Sequence, residues 1–212
     1  MKLKVCGLTK LDQIQELISM KVDFLGFIFY GKSPRYVLNH LSLKEISEIP
    51  HFGKVGVFVN ENIENVMDFS VKANLNFIQL HGDEDENYIV NLKNNLPFDI
   101  EIIKVIRIGN QTTEELQKTI NHQPSTINHF LFDTDSIAFG GTGKSFDWNL
   151  LNELEIPIPY FLSGGISLEN VYQLPTLNTQ PISLDINSKF EFEPGNKDLE
   201  KIKEFIKLYN TL

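Results

Sequence analysis

The chain of 212 residues is 42% hydrophobic and 22% charged, which is the composition of one ordinary globular domain. These values exclude a disordered, collagen-like or coiled-coil chain, and the length excludes an assembly of several large domains. The formal net charge of -9 disfavours a nucleic-acid partner, because affinity for a phosphate backbone comes from clustered Lys and Arg.

Eight short apolar segments recur along the chain, and each is predicted to form a β-strand. Their starts lie roughly 21 to 30 residues apart, the length of one strand, one helix and two loops. In chain order they are Leu3–Gly7, Phe24–Phe29, Lys54–Val59, Phe77–Leu80, Ile102–Ile108, Phe130–Asp133, Tyr160–Ser163 and Ile182–Ile186.

The segments between them carry charged residues at helical spacing and predict helices. Asn60 and Ser167 occupy the positions expected of helix N-caps. The stretch after the sixth strand, around Trp148, has the weakest helical pattern. The predicted helices are Lys10–Lys21, Ser42–Ile49, Glu61–Ala73, Asp85–Asn94, Thr113–Ile120, Ser167–Leu174 and Lys197–Tyr209.

This alternation of strands and helices is typical of two architectures, an open doubly wound sheet and a closed barrel. Eight units in a chain of this length favour the barrel. We therefore expect an α/β fold, a single-domain (β/α)8 TIM barrel that spans residues 1–212. Because such barrels carry their active sites on the loops after the strands, the residues there are the first candidates for function.

A thiol and a carboxyl end two of the predicted strands. Cys6 follows the first strand, and Asp133 follows the sixth. A lone Cys is most often a small buried hydrophobe, and an Asp at a rim is often a cap or a loop ligand. The alternative is an acid and base pair across the barrel mouth. An acid role requires a protonated Asp133, which predicts a pKa raised by burial or by a nearby carboxylate.

Glycine and small polar residues on three loops indicate a phosphorylated ligand. Gly164 and Gly165 precede the helix predicted from Ser167, so their N–H groups are placed to face an anion at a helix N-terminus. A tight turn requires glycine equally well. The neighbouring loops add further candidates for the same site, Gly141, Gly143, Asn187 and Ser188.

Two other rim residues and an acidic run complete the candidates. Pro34 restricts the loop before Arg35, so this guanidinium is either aimed at a carboxylate or phosphate or is a solvated surface group. His81 is interpreted as a rim histidine with satisfied hydrogen bonds rather than a metal ligand. The acidic residues 83–86 are interpreted as the solvated start of a helix.

The sequence also predicts where the protein works. Cys6 is the only cysteine, which excludes an intrachain disulfide and a cysteine-based zinc site and is typical of a reducing compartment. The segment from Met1 to Val5 runs into Cys6 without the apolar stretch of a signal peptide, and no uncharged apolar run reaches the roughly 18 residues of a membrane helix. We expect a cytoplasmic protein without a membrane partner.

Taken together, the motifs are similar to those of the phosphoribosylanthranilate isomerase family of tryptophan biosynthesis. They occur in family order from residue 4 to residue 198. The segments that carry the resemblance are Lys4–Thr9, Gly26–Phe29, Ser33–Arg35, Gly56–Val59, Gln79–Glu84, Gly140–Trp148, Ser163–Ile166, Glu169–Val171, Pro194–Gly195 and Lys197–Asp198.

The resemblance implies an intramolecular oxidoreductase, an aldose-to-ketose isomerase that works by acid–base catalysis without cofactor or metal. It implies a monomer or homodimer and a small phosphorylated substrate, N-(5-phosphoribosyl)anthranilate. Cys6 would be the general base and Asp133 the general acid, with Arg35 on the anthranilate carboxylate. The remaining residues expected to bind substrate are His81, Gly141, Gly143, Gly164, Gly165, Asp185, Asn187 and Ser188.

The loop after the eighth strand departs from the family pattern. The family usually reads Asp-Val-Ser-Ser-Gly-Val-Glu, whereas residues 185–191 here read Asp-Ile-Asn-Ser-Lys-Phe-Glu. Lys189 thus replaces a glycine that often lets a backbone approach phosphate. Either its own charge compensates or the loop is reshaped.

Three other functions fit a barrel of this kind. One is another phosphate-binding barrel of the same pathway, the indoleglycerol phosphate synthase or tryptophan synthase alpha type, which uses different acid and base residues. Another is a non-catalytic sensor of a phosphorylated metabolite. The last is an isomerase that also accepts the related aminoaldose of histidine biosynthesis, but that barrel uses two aspartates where this chain has Cys6.

Overall fold

A computed structural model describes residues 1–97, 99–135 and 145–211. Eight parallel strands, β1 to β8, close into a barrel in chain order, which confirms the predicted architecture. Two short antiparallel strands, β9 and β10, follow the barrel. The strands are β1 Lys2–Val5, β2 Phe24–Ile28, β3 Lys54–Phe58, β4 Phe77–Leu80, β5 Glu101–Ile108, β6 His129–Thr134, β7 Tyr160–Leu162, β8 Ser183–Ile186, β9 Glu191–Glu193 and β10 Asn196–Lys197.

The α-helices of the described segments follow most of these strands. They are α1 Leu11–Ser19, α2 Leu43–Glu48, α3 Ile63–Lys72, α4 Glu86–Asn95, α5 Thr113–Asn121 and α6 Leu199–Tyr209. Short 3-10 helices occupy Val37–Asn39, Trp148–Glu153, Val171–Thr176 and Ser188–Phe190. None of the helices in the described part of the chain is both long and apolar enough to cross a membrane.

Two predicted helix starts are wrong. The α3 helix is capped by Asn62, whose side chain accepts a hydrogen bond from the Asn65 N–H, whereas Asn60 lies in a left-handed turn at φ 48°. No α-helix begins at Ser167. The 3-10 helix Val171–Thr176 lies there instead and contains Pro175, which cannot donate a helical hydrogen bond.

The barrel interior is filled by apolar side chains from several strands. Val57, Ile103, Leu131 and Phe161 are among those that are almost completely buried and belong to one cluster with Cys6. Phe24 packs edge-to-face on Phe161, with ring centroids 5.1 Å apart. A second, larger cluster lies between the strands and the helices. The interior is therefore a packed core that supports polar residues at its carboxyl-terminal rim.

Candidate active site

One cavity lies at the carboxyl ends of the strands and collects most of the residues that the sequence singled out. It is lined by Cys6, Arg35, His81, Asp133, Gly164, Gly165, Asp185, Asn187 and Ser188. The parallel barrel explains this convergence, because every strand ends at the same rim. Gly141 and Gly143 lie outside the described residues, so the structure does not test their expected role.

Cys6 is 5% exposed and lies against the backbone of β2. A Cβ atom on Gly26 would stand 2.9 Å from Cys6 Sγ, so this glycine makes the room that the thiol occupies. Burial raises the pKa of Cys6 above its ordinary value of 9.0, while the ammonium groups of Lys4 and Lys197 act in the opposite direction. The thiol is therefore protonated in the free protein. The ammonium groups of Lys4 and Lys197 would stabilise a thiolate if one formed.

Asp133 has the raised pKa that an acid at this position requires. Burial and, next, the charge of Asp185 raise the pKa of Asp133 to about 7. Its Oδ1 accepts a hydrogen bond from the Thr134 N–H at 2.8 Å, and its Oδ2 lies 3.5 Å from Nε2 of His81. The prediction of a raised pKa from burial or a neighbouring carboxylate is confirmed, with both causes acting.

His81 is a neutral imidazole in this setting. Burial, with a smaller contribution from the cations Lys4, Arg107 and Lys104, lowers the pKa of His81 to about 3. Its Nδ1 lies 3.0 Å from the side-chain amide nitrogen of Gln79. A neutral His81 beside Asp133 serves as a hydrogen-bonding group and not as a counter-ion.

Lys4 was not among the predicted site residues, but it forms a buried ion pair with Asp185 at the base of the site. Lys4 Nζ lies 2.9 Å from Asp185 Oδ1, and the two side chains are 0% and 6% exposed. The signal that could have found it is the alternation of side chains along a strand, since Lys4 stands two residues before Cys6 and shares its face. This buried pair sets the electrostatic field that Asp133 and Cys6 experience.

Arg35 is held by a carboxylate from the far end of the chain. Its Nε and Nη2 donate to Glu191, with the Nη2–Oε2 distance 2.7 Å, and its side chain is 11% exposed. The alternative of a solvated surface arginine is therefore wrong. Glu191 also accepts from Lys197 Nζ at 2.7 Å, and Lys197 reaches Asn187 Oδ1 at 2.9 Å. Glu191 and Lys197 were not among the predicted site residues, because the link of their hairpin to Arg35 spans 156 residues of sequence.

The interpretation of residues 83–86 as a solvated helix start is wrong for Glu84. This side chain is buried and accepts a hydrogen bond from Lys104 Nζ at 2.8 Å. It also accepts from the backbone N–H of Asn60. Glu84 thus links the loops after β3 and β4 to strand β5. Within the acidic run, Asp85 is the residue that caps α4.

The glycines of the seventh loop line the cavity, but the helix that was expected behind them is absent from the described residues. Gly164 and Gly165 lie at φ 85° and 70°, a conformation that favours glycine. A Cβ atom on Gly164 would stand 2.5 Å from Thr134 Oγ1. Because no α-helix starts at Ser167, the argument from a helix N-terminus does not hold. Lys189 lines the same cavity and brings a positive charge to it.

A closed (β/α)8 barrel with a buried carboxyl, a thiol and several cations around one rim cavity defines a class of barrel protein whose site is suited to an anionic small molecule. The family model described as N-(5'phosphoribosyl)anthranilate (PRA) isomerase matches residues 3–208, and the chain belongs to this family. This membership decides against the other barrels of the same pathway.

Curated relatives and solved structures agree with that assignment. The N-(5'-phosphoribosyl)anthranilate isomerase of Parabacteroides distasonis is 35% identical over 209 residues, which cover 97% of this chain and 92% of the relative. The crystal structure of the Thermotoga maritima phosphoribosyl anthranilate isomerase matches with a TM-score of 0.80 and 31% identity, covering 100% and 99% of the two chains. A phosphoribosyl anthranilate isomerase in complex with reduced 1-(o-carboxyphenylamino)-1-deoxyribulose 5-phosphate matches with a TM-score of 0.76 and 30% identity, over the same shares.

Proposed function

We propose that this protein converts N-(5-phosphoribosyl)anthranilate to 1-(2-carboxyphenylamino)-1-deoxyribulose 5-phosphate in tryptophan biosynthesis, as an intramolecular oxidoreductase that uses no cofactor. Family membership supports the reaction. The observation that carries the mechanism is the buried carboxyl of Asp133, with a pKa of about 7, facing the same cavity as the Cys6 thiol. Such a carboxyl is a competent acid near neutral pH.

The first step opens the sugar ring. Asp133 donates its proton to the ring oxygen, the C1–O bond breaks with its electron pair leaving on oxygen, and the substrate nitrogen forms an iminium with C1. Asp133 becomes a carboxylate in this step. Charge then develops next to His81 and Thr134, which can donate hydrogen bonds to it.

The second step moves a proton from C2. The thiolate of Cys6 removes this proton, and the released electron pair forms the C1–C2 double bond while neutralising the iminium. The resulting enolamine tautomerises to the ketone, so C2 is oxidised and C1 reduced within one molecule. Lys4, Lys197 and the iminium itself stabilise the thiolate, which offsets the cost of its burial.

Two groups of residues are proposed to hold the anionic ends of the substrate. Glu191 occupies Nε and one face of Nη2 of Arg35, which leaves the Nη1 edge of the guanidinium for the anthranilate carboxylate. The phosphate would lie against the backbone of Gly164 and Gly165. Its other proposed contacts are Asn187, Ser188 and Lys189.

Turnover separates this proposal from a non-catalytic sensor. Freshly generated phosphoribosylanthranilate is fluorescent, and we expect purified protein to abolish the fluorescence catalytically. We also expect the gene to restore growth without tryptophan to a bacterium that lacks this isomerase. A folded protein that binds a product analogue but neither turns substrate over nor restores growth would favour the sensor.

We further propose one domain over residues 1–212, a monomer or homodimer, and a cytoplasmic location. The first and last barrel strands pair, with Lys4 in register with Asp185, so the chain ends belong to one folding unit. A thiol that acts as base must stay reduced, as it does in the cytoplasm. Light scattering decides between monomer and dimer, and calorimetry showing two separate transitions would contradict one domain.

A further inference from the structure

We propose that Gln79 is a positioning residue that fixes the tautomer of His81, so that the Nε2–H of His81 faces Asp133. The proposal rests on the proposed function for the role of Asp133. Gln79 itself is 1% exposed and lines the cavity.

The β4 strand brings the two side chains together. Gln79 lies in β4, and His81 comes directly after the end of this strand. The two residues are two positions apart, so both side chains point to the same face of the sheet. Gln79 pairs in register with Val57 and Ile103, two members of the interior cluster, which places this face inside the barrel.

The hydrogen bond between them determines where the imidazole proton lies. The Gln79 amide nitrogen is 3.0 Å from His81 Nδ1, and an amide nitrogen can only donate. Nδ1 must therefore be the bare acceptor nitrogen of a neutral ring. The proton of that ring is on Nε2, which lies 3.5 Å from Asp133 Oδ2.

The opposite amide orientation is electrostatically unfavourable. It would turn the Gln79 oxygen to Nδ1–H and leave the lone pair of Nε2 facing the carboxylate that Asp133 becomes when it gives up its proton. Protonation of both ring nitrogens is opposed by burial and by the cations Lys4, Lys104 and Arg107. A neutral ring with Nε2–H toward Asp133 satisfies both constraints.

This arrangement acts on the proton transfer and not on substrate binding. The 3.5 Å separation is long for a hydrogen bond in the free protein. It shortens when Asp133 gives its proton to the substrate and becomes charged, because an N–H donor then faces an anion. The charges that act on Asp133 from other strands of the barrel are those of Asp185 in β8 and Lys4 in β1.

The Gln79 oxygen supports a functional reason for the amide. Among the described residues this buried Oε1 has no hydrogen-bond partner. An unpaired buried polar atom costs stability, and an apolar side chain at the same place would avoid that cost. The presence of Gln79 indicates that this position keeps an amide for the hydrogen bond to His81 and not for stability alone.

The test combines NMR with kinetics on three variants of the full chain. Gln79→Glu replaces the donor by an acceptor, and Gln79→Met removes both polar atoms with little change in size. Gln111→Glu is the matched control, because it adds the same charge on an exposed rim loop whose side chain bonds to Gly109 and not to His81. A His81→Asn protein assigns the His81 signals in 15N–1H spectra.

We expect Nε2 of His81 to be protonated in wild type and Gln111→Glu, and Nδ1 to be protonated in Gln79→Glu. In Gln79→Glu and Gln79→Met we expect kcat to fall at least about tenfold with KM changed less than about threefold. A wild-type ring protonated on Nδ1, or the same tautomer in wild type and Gln79→Glu, would overturn the proposal.

Equal kcat in Gln79→Met and wild type would overturn it as well. If Gln79→Glu does not fold, Gln79→Met still tests the proposal, because we expect it to show both tautomers of His81. The NMR result does not depend on turnover, so a protein that proves inactive on phosphoribosylanthranilate contradicts the proposed function and not the tautomer.

Discussion

At the residue scale, the proposed acid has a lower pKa than the proposed base. The reaction needs the acid protonated and the base deprotonated, so the two pKa values oppose it. Asp133 loses its proton at about pH 7, whereas Cys6 keeps its proton beyond its ordinary value of 9.0. The reactive form combines a protonated Asp133 with a Cys6 thiolate. It is therefore a minor species at every pH, and the pH profile should reveal this.

Below pH 7 Asp133 stays protonated while the thiolate fraction grows about tenfold per pH unit, so kcat/KM should rise with pH. From about pH 7 up to the pKa of Cys6, the gain in thiolate offsets the loss of protonated Asp133 and the profile should be flat. At higher pH it should fall. Initial rates between about pH 5 and pH 10 check this, and a continuous fall from pH 6 upward would contradict the assignment.

The same carboxyl should make the folded protein less stable at alkaline pH. The pKa of Asp133 is raised from 3.8 to about 7 by folding, so its stabilising contribution is complete below pH 3.8 and is lost as the pH rises through 7. We expect Asp133→Asn to be more stable than wild type by about 2–4 kcal/mol at pH 8, with the difference vanishing near pH 4.

Urea unfolding of both proteins at the two pH values measures that difference. Asp135→Asn is the control, because this neighbouring side chain is 47% exposed. A stabilisation of Asp133→Asn that is the same at both pH values would show that burial of the carboxyl is not its cause.

At the scale of elements, the approach of β2 to β1 places the thiol. A Cβ atom on Gly26 would stand 2.9 Å from both Cα and Sγ of Cys6, so Gly26→Ala should displace the thiol and lower kcat by at least about 100-fold. Gly31→Ala is the matched control, since a Cβ atom there meets nothing within 4 Å. Steady-state rates of the two variants decide, and equal activities would mean that the fit of Cys6 against β2 does not matter.

The loop after β8 carries the clearest departure from the family pattern. Lys189 lines the cavity beside Ser188 and Gly165, and we expect its charge to contribute to phosphate binding. Lys189→Ala should raise KM by about tenfold at low salt and by less at high salt, with kcat little changed. The control is Lys207→Ala on α6, away from this cavity. A KM unchanged at low salt would show that the altered loop binds phosphate through other groups.

How much the sequence predicts depends on how local the cause is. The fourth strand, Phe77–Leu80, matches the structure at both ends, because its apolar run and flanking polar residues define it locally. The rim residues also came together as predicted, since parallel strands share one carboxyl edge. The prediction of an α-helix from Ser167 was wrong, because Pro175 cannot donate a helical hydrogen bond and the segment forms a 3-10 helix instead.

Pairings across the fold are the part that sequence patterns did not reveal. Lys4 and Asp185 are 181 residues apart, and Arg35 and Glu191 are 156 apart. No local spacing links such partners, so the ion pairs that tune the site become visible only in the closed barrel. For the same reason Glu84 was predicted to be a solvated charge, although it is buried in an ion pair with Lys104.

At the scale of the whole molecule, closure of the barrel concentrates positive charge inside an acidic protein. The net charge is -9, yet Lys4, Arg35, Lys189 and Lys197 lie in or around one cavity. A substrate that carries both a carboxylate and a phosphate is repelled by the general surface and attracted at this mouth. These cations come from both ends of the chain, so the site forms only when the barrel has closed.

The most direct test of the account is the turnover of freshly generated phosphoribosylanthranilate by wild type, Cys6→Ala and Asp133→Ala proteins, followed by fluorescence, with binding of a product analogue measured in parallel. We expect the wild type to turn over, and each variant to lose at least about a thousandfold in kcat while it still binds the analogue. Either variant retaining activity close to that of the wild type would contradict the assignment of Cys6 as base and Asp133 as acid.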